Sequence, residues 1–314
     1  MHCAQNNMTS SMANTSTPLV SVGVPVRNGG KLLEEALATL TAQTYHNLEI
    51  IVSDNMSDDG SHAIAARFAA NDSRVKVHRQ PHPVTAVDNF KFVFDQSKGD
   101  YFMWAACDDR RSSRYVEKTL ESLRARHDAS IAFGDVAEFS DMDTWRDAPI
   151  FPYDFESDAS TTLRQRIVKY SRLNCLHVYG LIRSSALRSY QWHDLDNGPD
   201  IPLLIHLSMA GNFVKSEDCA FYYFAPSTPK SLEERALANS LKKLKPVPEV
   251  RLAWACAVTI HHGGKMVNQW IPVIPAFFLV YANRHWRWIK PWLFEASPDF
   301  LVHFYRRFFT RRES

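Results

Sequence analysis

Two acidic residues stand side by side at Asp108-Asp109, directly after the apolar run Tyr101 to Ala106. Carboxylate oxygens are the ligands that hard divalent cations such as Mg2+ or Mn2+ take, so the pair is a candidate metal site. Two further polar clusters follow apolar runs in the same way: Arg27-Asn28 after Leu19 to Val26, and Asp54-Asn55 after Leu48 to Ser53. One such cluster is explained as well by a helix cap or a turn, since Asp and Asn fill both. Three clusters at three strand ends are better explained by a shared crevice.

For the clusters to meet, the strands must lie in one parallel sheet, and the pattern predicts that sheet. Leu19 to Val26 is apolar and β-branched, as in a strand buried on both faces. Leu32, Leu33, Ala36, Leu37 and Leu40 then recur at helical spacing. Leu48 to Ser53, Val75 to His78, Tyr101 to Ala106 and Ser130 to Phe133 predict further strands. Helices are expected up to about Ala70, over Thr85 to Gln96 and from about Ser113 to Arg126. This alternation implies an α/β fold with a doubly wound, mostly parallel sheet and right-handed crossovers, in which ligands bind beyond the carboxyl ends of the strands. Beyond Met142 the spacing predicts a helix over Thr161 to Leu173, a strand over Val178 to Ile182, a helix over Ile201 to Met209 closed by Gly211, and a strand over Phe221 to Phe224. Arg110, Arg111 and Arg114 read as a solvated helix face.

The 314 residues are 45% apolar and 22% charged, the composition of a globular protein. A formal net charge of +2 argues against a nucleic-acid partner, which would want a strongly basic face. Five cysteines without a C-x-x-C pair read as plain thiols in a reducing compartment. Residues 1–17 read as a disordered leader, 18–228 as the catalytic unit (halves 18–136 and 137–228), and 229–314 as a helical, aromatic-rich appendage. No window reaches the roughly 20 apolar residues of a spanning helix. Five of the eight tryptophans lie between Trp254 and Trp292, and from Asn283 onward seven basic residues face three acidic ones. Tryptophan interleaved with Arg and Lys predicts contact with an anionic membrane surface. The alternative is a helical subdomain packed on the core or on a second copy of the chain in a homo-oligomer.

The run Val20-Ser21-Val22-Gly23-Val24-Pro25-Val26-Arg27-Asn28-Gly29 resembles the first strand and "P-x-x-N" loop of the family 2 glycosyltransferases, which have the GT-A fold. Leu40 to Ile51 is similar to that family's helix end and second strand, and Ser53 to Ser61 resembles its "D-x-S-x-D-G-T/S" turn. Gly99-Asp100-Tyr101 matches the approach to the fourth strand. The likeness spans roughly Val20 to Val136, with a looser match over Gly180-Leu181-Ile182-Arg183 and Asp200 to Phe224, as in bacterial surface-polysaccharide members. It implies an inverting glycosyltransferase with a nucleotide-sugar donor, a glycan or lipid-linked acceptor, and Mn2+ or Mg2+ on Asp109 and Asp108. It further implies that Asp54 accepts from the nucleotide base, that Pro25, Arg27 and Asn28 wall the pocket, and that Asn55, Ser57, Asn89 and Asp108 serve the donor. Asp200 would be the general base and is equally explained as a helix N-cap, with Asp196 and Asp194 as runners-up. His177 and Arg183 are candidates for acceptor or phosphate contact. The chain departs from the fuller Asp-x-Asp-Asp motif at one position, where Ala106 stands in place of the first Asp.

The expected site is cytoplasmic, at the inner face of the membrane. A nicotinamide-dependent oxidoreductase would share the sheet but needs G-x-G-x-x-G after the first strand, and Val26-Arg27-Asn28-Gly29-Gly30-Lys31 does not supply it. A sugar nucleotidyltransferase would show a Gly-rich basic loop there. A binding or scaffold protein that keeps the fold without catalysis is the reading from another class.

Overall fold

The computed structural model describes residues 17–151, 156–158, 160–162, 165–166, 175–193, 195, 199–225, 255–260 and 262. The expected leader up to residue 16, most of the expected helix over Thr161 to Leu173, Asp194, Asp196 and nearly all of 229–314 lie outside the described residues.

The first half folds as its periodicity dictates. Strands β1 (Val20–Val26), β2 (Leu48–Asp54), β3 (Val75–Arg79) and β4 (Tyr101–Trp104) are parallel, in the order β3-β2-β1-β4. Helices α1 (Gly30–Thr41), α2 (Ser61–Asn71) and α3 (Ala86–Asp95) cross between them. Every residue of β1, β2 and β4 is buried, which explains why these strands read as unbroken apolar runs. Helix α1 turns Leu33, Ala36, Leu37 and Leu40 into the core at the expected spacing. Thr85 caps α3 by accepting from the backbone N–H of Asp88. Phe94, Phe102 and Trp104 meet edge to face, with ring centroids 5.0 and 4.8 Å apart. Full burial of one such side chain stabilises by roughly 1.5–3 kcal/mol.

The second half is assembled from distant segments. Strand β5 (Arg110–Arg111) precedes α4 (Tyr115–Ala125), β6 (Ala129–Phe139), a 3-10 turn (Trp145–Asp147) and β7 (Ile150–Phe151). A second 3-10 turn (Cys175–Tyr179) leads into β8 (Leu181–Arg183), α5 (Ser184–Leu187), α6 (Asp200–Ala210) and β9 (Asn212–Phe224). Among the described residues the sheet continues from β4 through β8, β6 and β9 to β5, with β7 on β6. Strands β4–β8, β8–β6 and β9–β5 pair antiparallel, while β6 and β9 pair parallel. Helix α6 buries Ile201 through Met209 on every side, as a helix apolar all round must. Residues 255–260 are helical, and Thr259 Oγ1 lies 2.9 Å from His193 Nε2.

Three expectations are corrected. Arg110 and Arg111 are not a solvated helix face but two buried residues of an edge strand, and only Arg114 is exposed. Gly211 does end a helix, but with φ 178° rather than a left-handed cap. The glycine is required because a Cβ would sit 2.7 Å from Ser130 N and 2.8 Å from Asp128 O, where the chain passes the start of β6. The last strand begins at Asn212, nine residues before the expected Phe221, because an irregularity around Asp218 (φ 58°) hides its alternation.

Candidate active site

The carboxyl ends of β1, β2 and β4 are neighbours, and the loops that follow β1 and β2 are hydrogen-bonded into one surface. Asn28 adopts φ 54°, donates its N–H to Ser57 Oγ (2.9 Å) and accepts from Asp58 N–H on Oδ1 (3.1 Å). Asn and Gly tolerate this left-handed conformation better than branched residues do. The N–H groups of Gly29 and Gly30 donate to Ser61 Oγ, which itself donates to Asp59 Oδ1. Asn55 clamps the loop before α3, donating to Val84 O and accepting from Val84 N–H.

Asp54, the last residue of β2, is fully buried. Its Oδ1 accepts from Ser57 N–H at 2.9 Å. Its Oδ2 is bonded by no described group, although His62 Nδ1 and Arg79 Nε stand 3.4 and 3.6 Å away. A buried carboxylate oxygen left open in this way costs stability unless something donates to it. Pro25 is a buried residue of β1 opposite Ser53, and Arg27 is exposed at the rim.

The turn after β4 carries the acidic pair. Asp109 is 2% exposed, and its Oδ1 accepts from Phe224 N–H of β9 at 3.0 Å. Burial, and next the Asp108 charge, push its carboxyl up to about 7. Asp108 is half-buried, and Arg110 donates to its carbonyl. Burial likewise pushes the Cys107 thiol up to about 12, which keeps it protonated beside the pair. Cys107, Cys219 and Cys256 are free thiols.

Asp200 opens α6, and its helix packs on the 3-10 turn that ends in Tyr179. Burial raises the Tyr179 hydroxyl well above its ordinary range, and the charges of Asp109, Asp200 and Asp108 reinforce this. The Tyr179 hydroxyl is thus subject to the charge of both the acidic pair and Asp200, which come from separate elements.

Three expected residues are placed in the framework. Arg183 donates to the carbonyls of Ala129, Leu123 and Arg126 and to Tyr101 Oη. Because β8 runs antiparallel to β4, Arg183 stands opposite Tyr101, at the end of β4 away from the acidic turn. It caps α4 by donating to the carbonyls at its end. His177 is 1% exposed in the core, its ring 5.4 Å from that of Phe133. Asn89 spends its amide on Ser53, accepting from Oγ and donating to the carbonyl, and so ties α3 to β2. Sequence reading passed over His62, Arg79 and Tyr179. Arg79 carried a signal, since it is a polar residue at the end of a fourth parallel strand.

A cavity of about 590 Å³ lies behind the acidic turn, between α1, β5 and the 142–146 segment, and none of the expected site residues lines it. Among the described residues, no group of three or more His, Cys, Asp or Glu could hold a metal ion by itself.

The family model for Glycosyl transferase family 2 matches residues 21–191, more than half of the chain. The chain belongs to glycosyl transferase family 2. It is 31% identical over 125 residues to "Glycosyltransferase GlyG" of Streptococcus pneumoniae, covering 40% of this chain and 41% of that one. It is 33% identical over 135 residues to "Putative glycosyltransferase EpsH" of Bacillus subtilis, covering 43% and 38%. The chain thus spans about two fifths of the length of these curated relatives. Among solved structures, S. aureus TarS 1-349 in complex with UDP-GlcNAc superposes with a TM-score of 0.63 at 16% identity, covering 90% of this chain and 77% of that one. The mannosyltransferase PcManGT from Pyrobaculum calidifontis, in complex with GDP-Man and Mn2+, gives 0.52 at 17%, covering 88% and 72%. At that identity the likeness is one of fold, and it identifies the mixed sheet as the GT-A architecture of the family.

Proposed function

We propose that the chain transfers a sugar, with inversion, from a nucleotide-sugar donor to a glycan or lipid-linked acceptor, assisted by Mn2+ or Mg2+. One observation carries this reading: the fully buried Asp54 at the carboxyl end of β2 has an oxygen without a hydrogen-bond donor among the described residues, in ion-pair range of Arg79 and His62. An acceptor next to a donor complements the N–H and C=O of a nucleobase lactam, such as those of uracil and guanine. The two solved relatives were determined with a UDP-sugar and a GDP-sugar.

The acidic turn fits a divalent cation. Asp108 and Asp109 are hard oxygen donors, and a cation would relieve the repulsion and burial that raise Asp109. Two carboxylates are few, but Mg2+-like ions commonly complete their shell with substrate phosphates and water. When bound, such an ion neutralises the charge that develops on a departing diphosphate. Phe224 N–H holds Asp109 in place, and Asp54 with Arg79 would orient the base. Asp200 would take the proton from the acceptor hydroxyl as it attacks the anomeric carbon.

The aromatic and basic C-terminal sequence supports work at an anionic membrane surface, and the resemblance of Gly180 to Arg183 and of Asp200 to Phe224 to bacterial surface-polysaccharide members supports a role in that synthesis. Among the described residues no helix is long and apolar enough to cross a membrane. The test is thermal shift with UDP, GDP and their sugars, with Mn2+ and with chelator, since a bound ligand raises apparent stability. Mn2+-dependent stabilisation by one nucleotide series is expected. No shift with any of them would overturn the reading and favour a scaffold protein that keeps the fold.

A further inference from the structure

The transferase reading leaves one well-placed group without a task, the hydroxyl of Tyr179. Three contacts fix where this residue sits. Arg111 Nη2 donates both to the carbonyl of Trp104, the last residue of β4, at 2.7 Å and to the carbonyl of Tyr179 at 3.3 Å. One buried guanidinium therefore holds Tyr179 beside the point where the acidic turn begins. The Tyr179 ring lies flat on Phe221, with centroids 5.7 Å apart and planes 19° from parallel. Phe221 belongs to the same strand as Phe224, whose N–H grips Asp109. The 3-10 turn of Tyr179 also packs on α6, which begins with Asp200.

These contacts place Tyr179 beside the start of the acidic turn and on the 3-10 turn that packs against the helix beginning with Asp200. Its carbonyl and ring are committed to the framework, while its hydroxyl donates to no described group. A phenol ordinarily titrates at about 10, so at neutral pH the hydroxyl keeps its proton and is a hydrogen-bond donor. A sugar linked to a diphosphate at Asp108-Asp109, and attacked by a hydroxyl activated at Asp200, must occupy the space between them.

We propose that Tyr179 is a sugar-binding residue, donating its phenolic hydrogen bond to a hydroxyl or ring substituent of the transferred sugar. This rests on the transferase reading and deepens it. No bond is made or broken at Tyr179.

The test compares wild type with Tyr179→Phe, which keeps the stack on Phe221 and removes only the hydroxyl. Binding of UDP, UDP-N-acetylglucosamine, GDP and GDP-mannose is measured by calorimetry with Mn2+ present. The variant is expected to bind the preferred nucleoside diphosphate as wild type does and its sugar nucleotide about 3- to 10-fold more weakly, the effect of one net hydrogen bond. The melting temperature should not change. Equal weakening of both ligands would assign the hydroxyl to the phosphates and overturn the proposal, as would unchanged binding of both. A wild-type protein that binds none of the four would overturn the transferase reading itself, and the Tyr179 assignment with it.

Discussion

The half of the molecule built from β1 to β4 and the half built from β5 to β9 hold the two ends of the proposed reaction by different means. In the first, each strand leads into a nearby helix, and the loops at the strand ends bind each other through Asn28, Ser57 and Ser61. In the second, β6 and β9 pair although Asn212 lies 84 residues after the Asp128 that it contacts. Asp109 is held by Phe224 across 115 residues. The nucleotide end is thus fixed by local structure, whereas the diphosphate and acceptor end depends on long-range assembly. This difference predicts that substitutions in the first half change nucleotide binding, and that those in the second change metal or sugar binding, turnover or folding.

The largest effects are expected at the two carboxylates of the reaction. Asp200→Asn should lower turnover about 10²- to 10⁴-fold while nucleoside diphosphate affinity holds, as removal of a general base does. A wild-type rate would move the role to Asp196 or Asp194. Asp109→Asn keeps the acceptor for Phe224 N–H and should lose transfer by about 10³-fold, measured with saturating Mn2+. The same variant should melt higher than wild type at pH 8 without metal. Asp109 holds its proton up to about 7 when folded but only to about 3.9 when unfolded, so the folded state binds more protons between those values. Stability of the metal-free protein therefore falls as pH rises from about 4 to about 7, and the amide removes that loss. A variant that is no more stable at pH 8 would contradict the burial described for Asp109.

Asp54→Asn tests the first half. It retains the contact to Ser57 N–H and should weaken nucleoside diphosphate binding about 10- to 100-fold, the range of a hydrogen bond to a charged group. An unchanged Kd would remove Asp54 from the base-binding role. A smaller effect concerns pH: Mn2+ affinity should rise about tenfold per unit up to about pH 7 and then level, because proton and cation compete for Asp109. A flat profile in calorimetry would point to Asp108 alone. The smallest effect on catalysis is expected at Arg183. Arg183→Met should leave kcat/KM unchanged and lower the melting temperature, since four acceptors lose their donor.

The two halves were also unequally legible. The strands β1, β2 and β4 showed in their residue types because burial on both faces admits little else. The loops showed because Asn28 and Gly60 supply left-handed backbone. Arg110 and Arg111 misled because charge in a sequence implies solvent, yet rings supply part of their surroundings. Arg110 lies 5.4 Å over Phe139, and Arg111 lies 5.2 Å over Phe221. The framework contacts of Arg183 were not legible because its register against Tyr101 depends on an antiparallel pairing that no local pattern reveals. Tyr179 could not be singled out, since its importance comes from neighbours that lie 70 residues upstream and 21 downstream in the chain.

The hydroxyls of Ser57 and Ser61 receive the backbone of a loop some thirty residues earlier, so that loop does not carry the instructions for its own shape. Anyone wishing to transplant the specificity of this crevice into another scaffold should move residues 26–30 and 54–61 as one cassette. Either segment grafted alone would arrive without the partner that gives it form.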